Sequence, residues 1–466
     1  MQRAPSLVFS IDRAAKTPVF EQICTAIRTR AISGELVEST KLPPTRVFAT
    51  ELGVSRSTVV TAYEQLVAEG YLQGLPRSGY TVCAIGEVER LDKTSASTTN
   101  WHEEMPPPVP FEAGLPDMQL FPHRQWAKAV ARICRENPQA MLVGGSVFGN
   151  LELRKAISAH VSEWRGIDAS PHQTIITAGS ADALEICMRT LAQRGDHVGL
   201  ENPGYLPVRH FAATQGLSPS FLDIGTQGAE LPDGGPCPRF VILTPSHQFP
   251  LGGAMSPNRR LEFIHWAKTN DTWIIEDDYD SEFRYAGRPI PAMAGFDQLD
   301  RTIYVGSFSK IFSNSLRLGY LIVPDTLLEL FRATIKNTGP KASFMPQQAL
   351  AEFISSGEFY KHLRRVRRIY GERRKFLVNK LSRDFADLGS FEDHQAGMQI
   401  VFHLNEGLND VDVSHRAAEN GITVRPLSGF SALNQVQNGL ILGFCGYSES
   451  QMRVALSRLK TCIEQK

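Results

Sequence analysis

From Pro18 to Val82 the apolar positions recur at helical spacing. Phe20, Ile23, Ile27 and Ile32 share one face of a first predicted helix, which Gly34 stops. Pro43-Pro44-Thr45 opens a second, with Val47, Phe48 and Leu52 on one face and Gly53 at its end. Ser55 is placed to cap a third, running through Val59, Val60, Tyr63, Leu66 and Val67 to Gly70. Tyr71-Leu72 and Tyr80-Thr81-Val82 then flank a Gly/Pro/Ser turn, the pattern of a short β-hairpin. From Phe111 onward the period changes. Thr174–Thr177, His197–Leu200, Phe240–Leu243, Trp273–Glu276 and Thr302–Val305 are short β-rich runs, each followed by a loop and most by a helical pattern. That alternation predicts a mainly parallel sheet with helices on both faces. Beyond the basic helix around Arg364–Arg374 the pattern predicts a smaller C-terminal α+β subdomain.

Between these regions the composition shifts. Residues 84–110 hold Ser95-Ala96-Ser97-Thr98-Thr99 and Pro106-Pro107-Pro108, with five acidic residues against two basic ones. They read as a linker, flexible at first and stiffened by prolines at its end. The expected organisation is a small helical domain at 1–83, the linker at 84–110 and a large α/β domain at 111–466. Lys+Arg and Asp+Glu number 49 each, so any basic face is local. Seven scattered cysteines without a C-x-x-C pair argue against a disulfide framework and against a zinc site, and no metal is expected. No signal peptide and no bilayer-spanning run is evident, as expected of a cytoplasmic protein with no membrane partner.

The segment Leu52-Gly53-Val54-Ser55-Arg56-Ser57-Thr58-Val59-Val60 is a helix, a tight turn and a capped second helix, an arrangement that can enter a major groove. Ser55, Arg56, Ser57 and Thr58 in its first turn suit phosphates and base edges. Lys41 and Arg46 are placed to hold the DNA backbone, and Arg77, Ser78 and Gly79 at the hairpin tip to act as a wing. A plain helical bundle with solvated charges fits the same pattern, because residues 1–83 carry only nine basic residues against seven acidic. The wording goes further. Leu42-Pro43-Pro44-Thr45-Arg46, Glu51 to Val59 and Ala62 to Leu72 closely resemble the winged helix-turn-helix of the GntR family of bacterial regulators. That resemblance implies binding to a double-stranded operator, with Arg46, Arg56, Ser57 and Thr58 at the DNA face. Glu38-Ser39-Thr40 departs from the Pro-Gly turn usual there.

In the large domain, Gly306-Ser307-Phe308-Ser309-Lys310 places a lysine just past a strand, among small hydroxyl residues. Such a lysine can form a Schiff base with an aldehyde, helped by a cation such as Arg317 that lowers its pKa. Alone, it reads rather as an exposed loop lysine. Glu276-Asp277-Asp278-Tyr279 follows the predicted strand Trp273–Ile275 and offers a carboxylate for a pyridinium nitrogen. Ala178-Gly179-Ser180-Ala181 opens a helix whose N-terminus suits a phosphate. Glu201-Asn202-Pro203-Gly204-Tyr205 supplies an aromatic able to stack on a flat ring. Four loops in this order resemble the fold-type I enzymes that use pyridoxal 5'-phosphate (PLP), the aspartate aminotransferase family, over about Phe111 to Lys466. The resemblance implies Lys310 as the Schiff-base lysine, Asp277 on the pyridine nitrogen and Tyr279 on the phenolic oxygen. It further implies Tyr205 on the ring face, with Ser180, Ala181, Ser307, Ser309 and Arg317 around the phosphate.

Together the two halves, with Phe111-Glu112-Ala113-Gly114-Leu115-Pro116-Asp117 and Thr244-Pro245-Ser246-His247-Gln248-Phe249-Pro250, resemble the MocR/GabR-type regulators within the GntR family. That implies a homodimeric, PLP-dependent transcriptional regulator. An amino compound forming an external aldimine would modulate its DNA binding, with slow transamination as a side reaction. The alternative is a working aminotransferase with an appended DNA-binding domain. Three departures stand out. The asparagine expected at the phenolic oxygen is absent, leaving His247 or Gln248 to substitute or to support the loop. The expected tyrosine before Gly149-Asn150-Leu151-Glu152-Leu153-Arg154 falls near Gly144. The arginine expected before a Leu-x-Phe segment is Ile441, which leaves Arg209 and Arg425 as candidates to bind an effector carboxylate.

Overall fold

The computed structural model describes residues 9–75, 79–84, 109–141, 145–432 and 437–465. The chain divides into two compact units, Met1–Glu104 and Met105–Lys466. The division falls inside the acidic, proline-bearing stretch, of which 85–108 lie outside the described residues, as does Gly144.

The first unit holds α1 (Val19–Ile32), α2 (Thr45–Leu52) and α3 (Arg56–Ala68), followed by the antiparallel pair β1 (Leu72–Leu75) and β2 (Gly79–Val82). Ile23, Ile27, Phe48, Val59, Tyr63 and Leu66 form its core. Two expected core residues are not in it. Ile32 is 41% and Val47 49% exposed, and Ala31 and Ala49 take the buried positions. The cause is the helical period. On α1 the buried row is Ile23, Ile27 and Ala31, and the next residue lies about 100° further round the axis. Gly53 closes α2 in the left-handed region at φ 63°, where a side chain would be strained. The Tyr63 hydroxyl donates to the Pro43 carbonyl at 3.1 Å and ties α3 to the start of α2. Ser39 adopts φ 64° in the turn that lacks the family's Pro-Gly pair, so the backbone still turns through the left-handed region.

The second unit is built on an eight-stranded sheet in the order β3-β10-β9-β8-β7-β4-β5-β6. The strands are β3 (Thr174–Thr177), β4 (His197–Asn202), β5 (Ser218–Gly225), β6 (Gly228–Ala229), β7 (Phe240–Leu243), β8 (Trp273–Asp278), β9 (Thr302–Ser307) and β10 (Gly319–Ile322). β5, β4, β7, β8 and β9 are parallel, while β10 runs antiparallel between β9 and β3. Adjacent residues point into different apolar clusters: Ile175 and Ile303 into one, Ile176 and Tyr304 into another. Both faces are therefore covered, which is why these strands read as continuous apolar runs rather than alternations. A second, antiparallel sheet of β11 (Gly389–Phe391), β12 (Gln399–Leu404), β14 (Gly439–Gly443) and β13 (Arg425–Pro426) forms the smaller α+β part, after the long helix Glu358–Asp384. Among the described residues no helix is long and apolar enough to cross a membrane, and no cluster of metal-ligating side chains occurs.

The topology sets up one edge. β3, β4, β7, β8 and β9 all end there, and β10 starts there, with Gly319 facing both Thr177 and Ser307. Open α/β sheets bind ligands at this carboxyl edge.

Candidate functional site

In the first unit, Ser55 precedes α3 and its Oγ accepts from Thr58 N at 3.1 Å, leaving the first turn of α3 properly capped. Arg56, Ser57 and Arg46 are exposed, and the Arg56 Nε donates to Thr45 Oγ1 at 3.4 Å across the turn. Lys41 bridges to Thr81, and Gly79 opens β2 at φ 93°. Arg77 and Ser78 lie outside the described residues. Arg13 was not singled out by the sequence reading. Its guanidinium donates to the Gly53 carbonyl at 2.7 Å and braces the turn before α3. It lies ahead of the first periodic segment, so no local pattern marks it.

In the second unit a cavity of about 410 Å³ opens at the carboxyl edge of the large sheet. Lys310, Asp277, Tyr279, Tyr205, Ser180, Ala181, Ser307, Ser309 and Arg317 all line it, delivered by the ends of β9, β8, β4 and β3 and the approach to β10. Asp277 is not on a loop as the sequence pattern suggested. β8 runs on to Asp278, because the neighbouring strand continues pairing as far as Gly306. Lys310 is half-buried, and its Nζ donates to the Gly114 carbonyl at 2.8 Å. Gly114 sits at φ 68°, where any side chain would be strained, and a Cβ there would lie 2.7 Å from that nitrogen, at the movable end of the lysine. Burial holds the Lys310 ammonium below the ordinary lysine range; Asp280 opposes this and Arg425 adds to it. Arg425 therefore supplies the cationic influence first assigned to Arg317. Arg317 itself holds φ 50° without being glycine, a strained conformation of the kind that collects at binding sites.

Asp277 is buried, and its Oδ1 has no hydrogen-bond partner among the described residues. Burial, then the nearby Asp278, Glu201 and Asp280 carboxyls, push its pKa up to about 7. Its folded pKa lies above its ordinary value of 3.8, so folding takes up a proton between the two and stability falls as pH rises through about 7. In cofactor-free protein, Asp277→Asn should therefore unfold at a higher temperature than wild type at pH 8, with the gap narrowing as pH falls below about 7 and closing only below about pH 4. A gap that does not change with pH would contradict the assignment. Buried Glu201, also raised to about 7, gives the same sign and remains in the variant.

The four effector candidates separate. Arg425 lines the cavity. Arg209 does not; its guanidinium donates to the Phe430 carbonyl and lies 5.7 Å over the Phe221 ring. Gln248 is buried and donates from Nε2 to Glu201 at 3.1 Å, Pro203 at 3.0 Å and Phe249 at 2.7 Å, so it holds the loops together. His247 is buried behind Tyr279, with Nδ1 2.8 Å from the Tyr279 hydroxyl and 3.0 Å from Asp280 Oδ1. Asp280, Gly114 and Phe249 also line the cavity and were not singled out as site residues.

Residues 20–82 match the family described as bacterial regulatory proteins, gntR family, and residues 110–459 match aminotransferase class I and II. The probable rhizopine catabolism regulatory protein MocR of Rhizobium meliloti is 36% identical, over 97% of this chain and 95% of its own length. The chain belongs to the MocR-type group of the GntR family. This MocR-type regulator is also 31% identical to the pyridoxine biosynthesis transcriptional regulator PdxR of Corynebacterium glutamicum, over 98% of each chain. Its larger unit is similar to LysN, an α-aminoadipate aminotransferase of Thermus thermophilus, with a TM-score of 0.70 at 25% identity, over 76% of this chain and 92% of that one. Like its regulator relatives it joins a DNA-binding winged helix-turn-helix to an aminotransferase-like domain.

Proposed function

We propose that this regulator holds PLP at Lys310 and that a small amino compound entering the same cavity changes its grip on operator DNA. The observation that carries the reading is the unpartnered, buried Oδ1 of Asp277 in a cavity that also holds Lys310 and a helix N-terminus. A pyridinium N–H would complete that carboxylate. The first N–H groups of the helix Ser180–Leu191, with Ser307, Ser309 and Arg317, suit a phosphate dianion. Tyr205 offers a ring face, and Tyr279 offers a hydroxyl to the phenolic oxygen. Bound PLP supplies an aldehyde carbon that can pass from the Lys310 amine to the amine of an effector.

This chain's residues do the rest. Burial favours the neutral amine of Lys310, the form that attacks an aldehyde. His247, paired with Asp280, meets the Tyr279 hydroxyl, the group left to face the phenolic oxygen where the expected asparagine is missing. When an effector takes the place of Lys310, the freed amine changes charge and packing at the cavity wall and biases domain arrangements. A homodimer would present two α3 helices to repeated half-sites on cytoplasmic DNA. The nine cavity residues expected around the cofactor also allow a second reading, a working aminotransferase. A steady-state assay of PLP-loaded protein across amino donors and keto acids separates them. We expect turnover far below about 1 per second, and rates at or above that would favour the enzyme.

A further inference from the structure

The cavity is lined by two guanidiniums, Arg317 and Arg425. Arg317 sits beside Ser307, Ser309 and the Ser180 helix end, where the cofactor phosphate belongs, so one cation is left over. Arg425 stands on β13, directly across from Ile441 on β14, and both face the same cavity as Lys310. Leu206, Phe249, Met398 and Phe430 add apolar wall to the same cavity. Among the described residues the only ion pair of Arg425 is a loose one, 4.0 Å to Glu112, with both side chains well exposed. Such a pair contributes little and exchanges readily.

We propose that Arg425 is the anion subsite of the effector cavity and that the effector is an amine joined to a carboxylate through an aliphatic chain. This rests on the reading of Lys310 as the amine-exchanging position. A carboxylate fits the planar fork of an arginine, the methylenes fit the apolar wall, and the amine reaches toward Lys310. Glu112 then serves as a stand-in anion that the ligand displaces. The displacement has a consequence for signalling. Glu112 belongs to the segment by which the chain enters the second unit. There Thr423 N donates to the Pro110 carbonyl, Phe111 bridges Gly443, and the Gly114 carbonyl holds Lys310. A two-headed ligand releases the charged hold of Arg425 on Glu112, and an alkylamine does not.

The test is a titration of the visible spectrum of full-length PLP-loaded protein with matched pairs such as β-alanine against ethylamine and 5-aminopentanoate against butylamine. We expect the carboxylate member of at least one pair to bind about 10- to 100-fold more tightly in wild type, as for a hydrogen bond to a charged group. Arg425→Gln should abolish the preference and Glu112→Gln should widen it. Equal binding within every pair, or a preference that survives Arg425→Gln, overturns the subsite while leaving the amine-exchange reading intact. A Glu112→Gln variant that keeps the wild-type preference overturns the displacement. If no amine perturbs the wild-type spectrum, the amine-exchange reading fails and the subsite falls with it.

Discussion

Borohydride reduction in the presence of one equivalent of PLP should add one phosphopyridoxyl group to each wild-type chain and none to Lys310→Ala. The expected loss is complete because the bond being reduced is made by that nitrogen. The chain carries many other lysines, but an exposed ammonium at neutral pH is protonated and a poor nucleophile. Lys310 differs on two counts. Burial lowers its pKa, and its nitrogen lies in the cavity that Asp277, the Ser180 helix end and Arg317 also line. Intact-mass measurement followed by peptide mapping reads the result directly. Labelling of Lys310→Ala at wild-type stoichiometry would show that another amine carries the cofactor. No labelling of either protein would show that the cavity does not hold an aldehyde at all. Gly114→Ala should weaken labelling in the same assay, because a side chain at φ 68° strains the backbone whose carbonyl receives the lysine nitrogen.

Arg56→Ala should weaken binding to a selected DNA duplex by about 10- to 100-fold, the cost of one base-reading guanidinium. The variant should fold as wild type does, since alanine favours helices and Ser55 still caps α3. The effect would thus belong to contact with DNA, and a lower slope of log affinity against log salt would mark lost phosphate contact instead. Ser55→Ala acts differently. It removes the acceptor for Thr58 N and should lower the stability of the first unit by about 1 kcal/mol, with DNA affinity falling as a consequence. Unchanged DNA affinity in Arg56→Ala would remove α3 from the proposed interface.

The first unit was legible because its signals are local: Gly53 and Gly70 as stops, Ser55 as a cap, a Gly/Pro/Ser turn between two strands. What failed there was phase. Ile32 and Val47 lie one residue off the buried rows, and small alanines fill the positions that larger residues were expected to take. In the second unit the fully buried parallel strands were visible as apolar runs. β10 was missed, since four residues between an arginine loop and a helix carry no period, and the short strands of the small sheet were missed for the same reason. All nine residues expected around the cofactor line one cavity because each ends, follows or leads into a strand at the same sheet edge, a regularity of topology. Arg209, His247 and Gln248 were not separable from Arg425 in the sequence. Their fates depend on partners far along the chain: Phe430 for Arg209, Asp280 for His247, Glu201 for Gln248.

The central claim is that the cavity around Lys310 governs the DNA-binding unit. The direct measurement is the affinity of full-length protein for a selected duplex by fluorescence anisotropy, in cofactor-free, PLP-loaded and PLP-plus-amine states, for wild type and Lys310→Ala. The account predicts that at least one amine shifts the affinity of PLP-loaded wild type, and that Lys310→Ala binds DNA equally in all three states. Equal affinity of wild type in every state, or the same shift in Lys310→Ala, would contradict it.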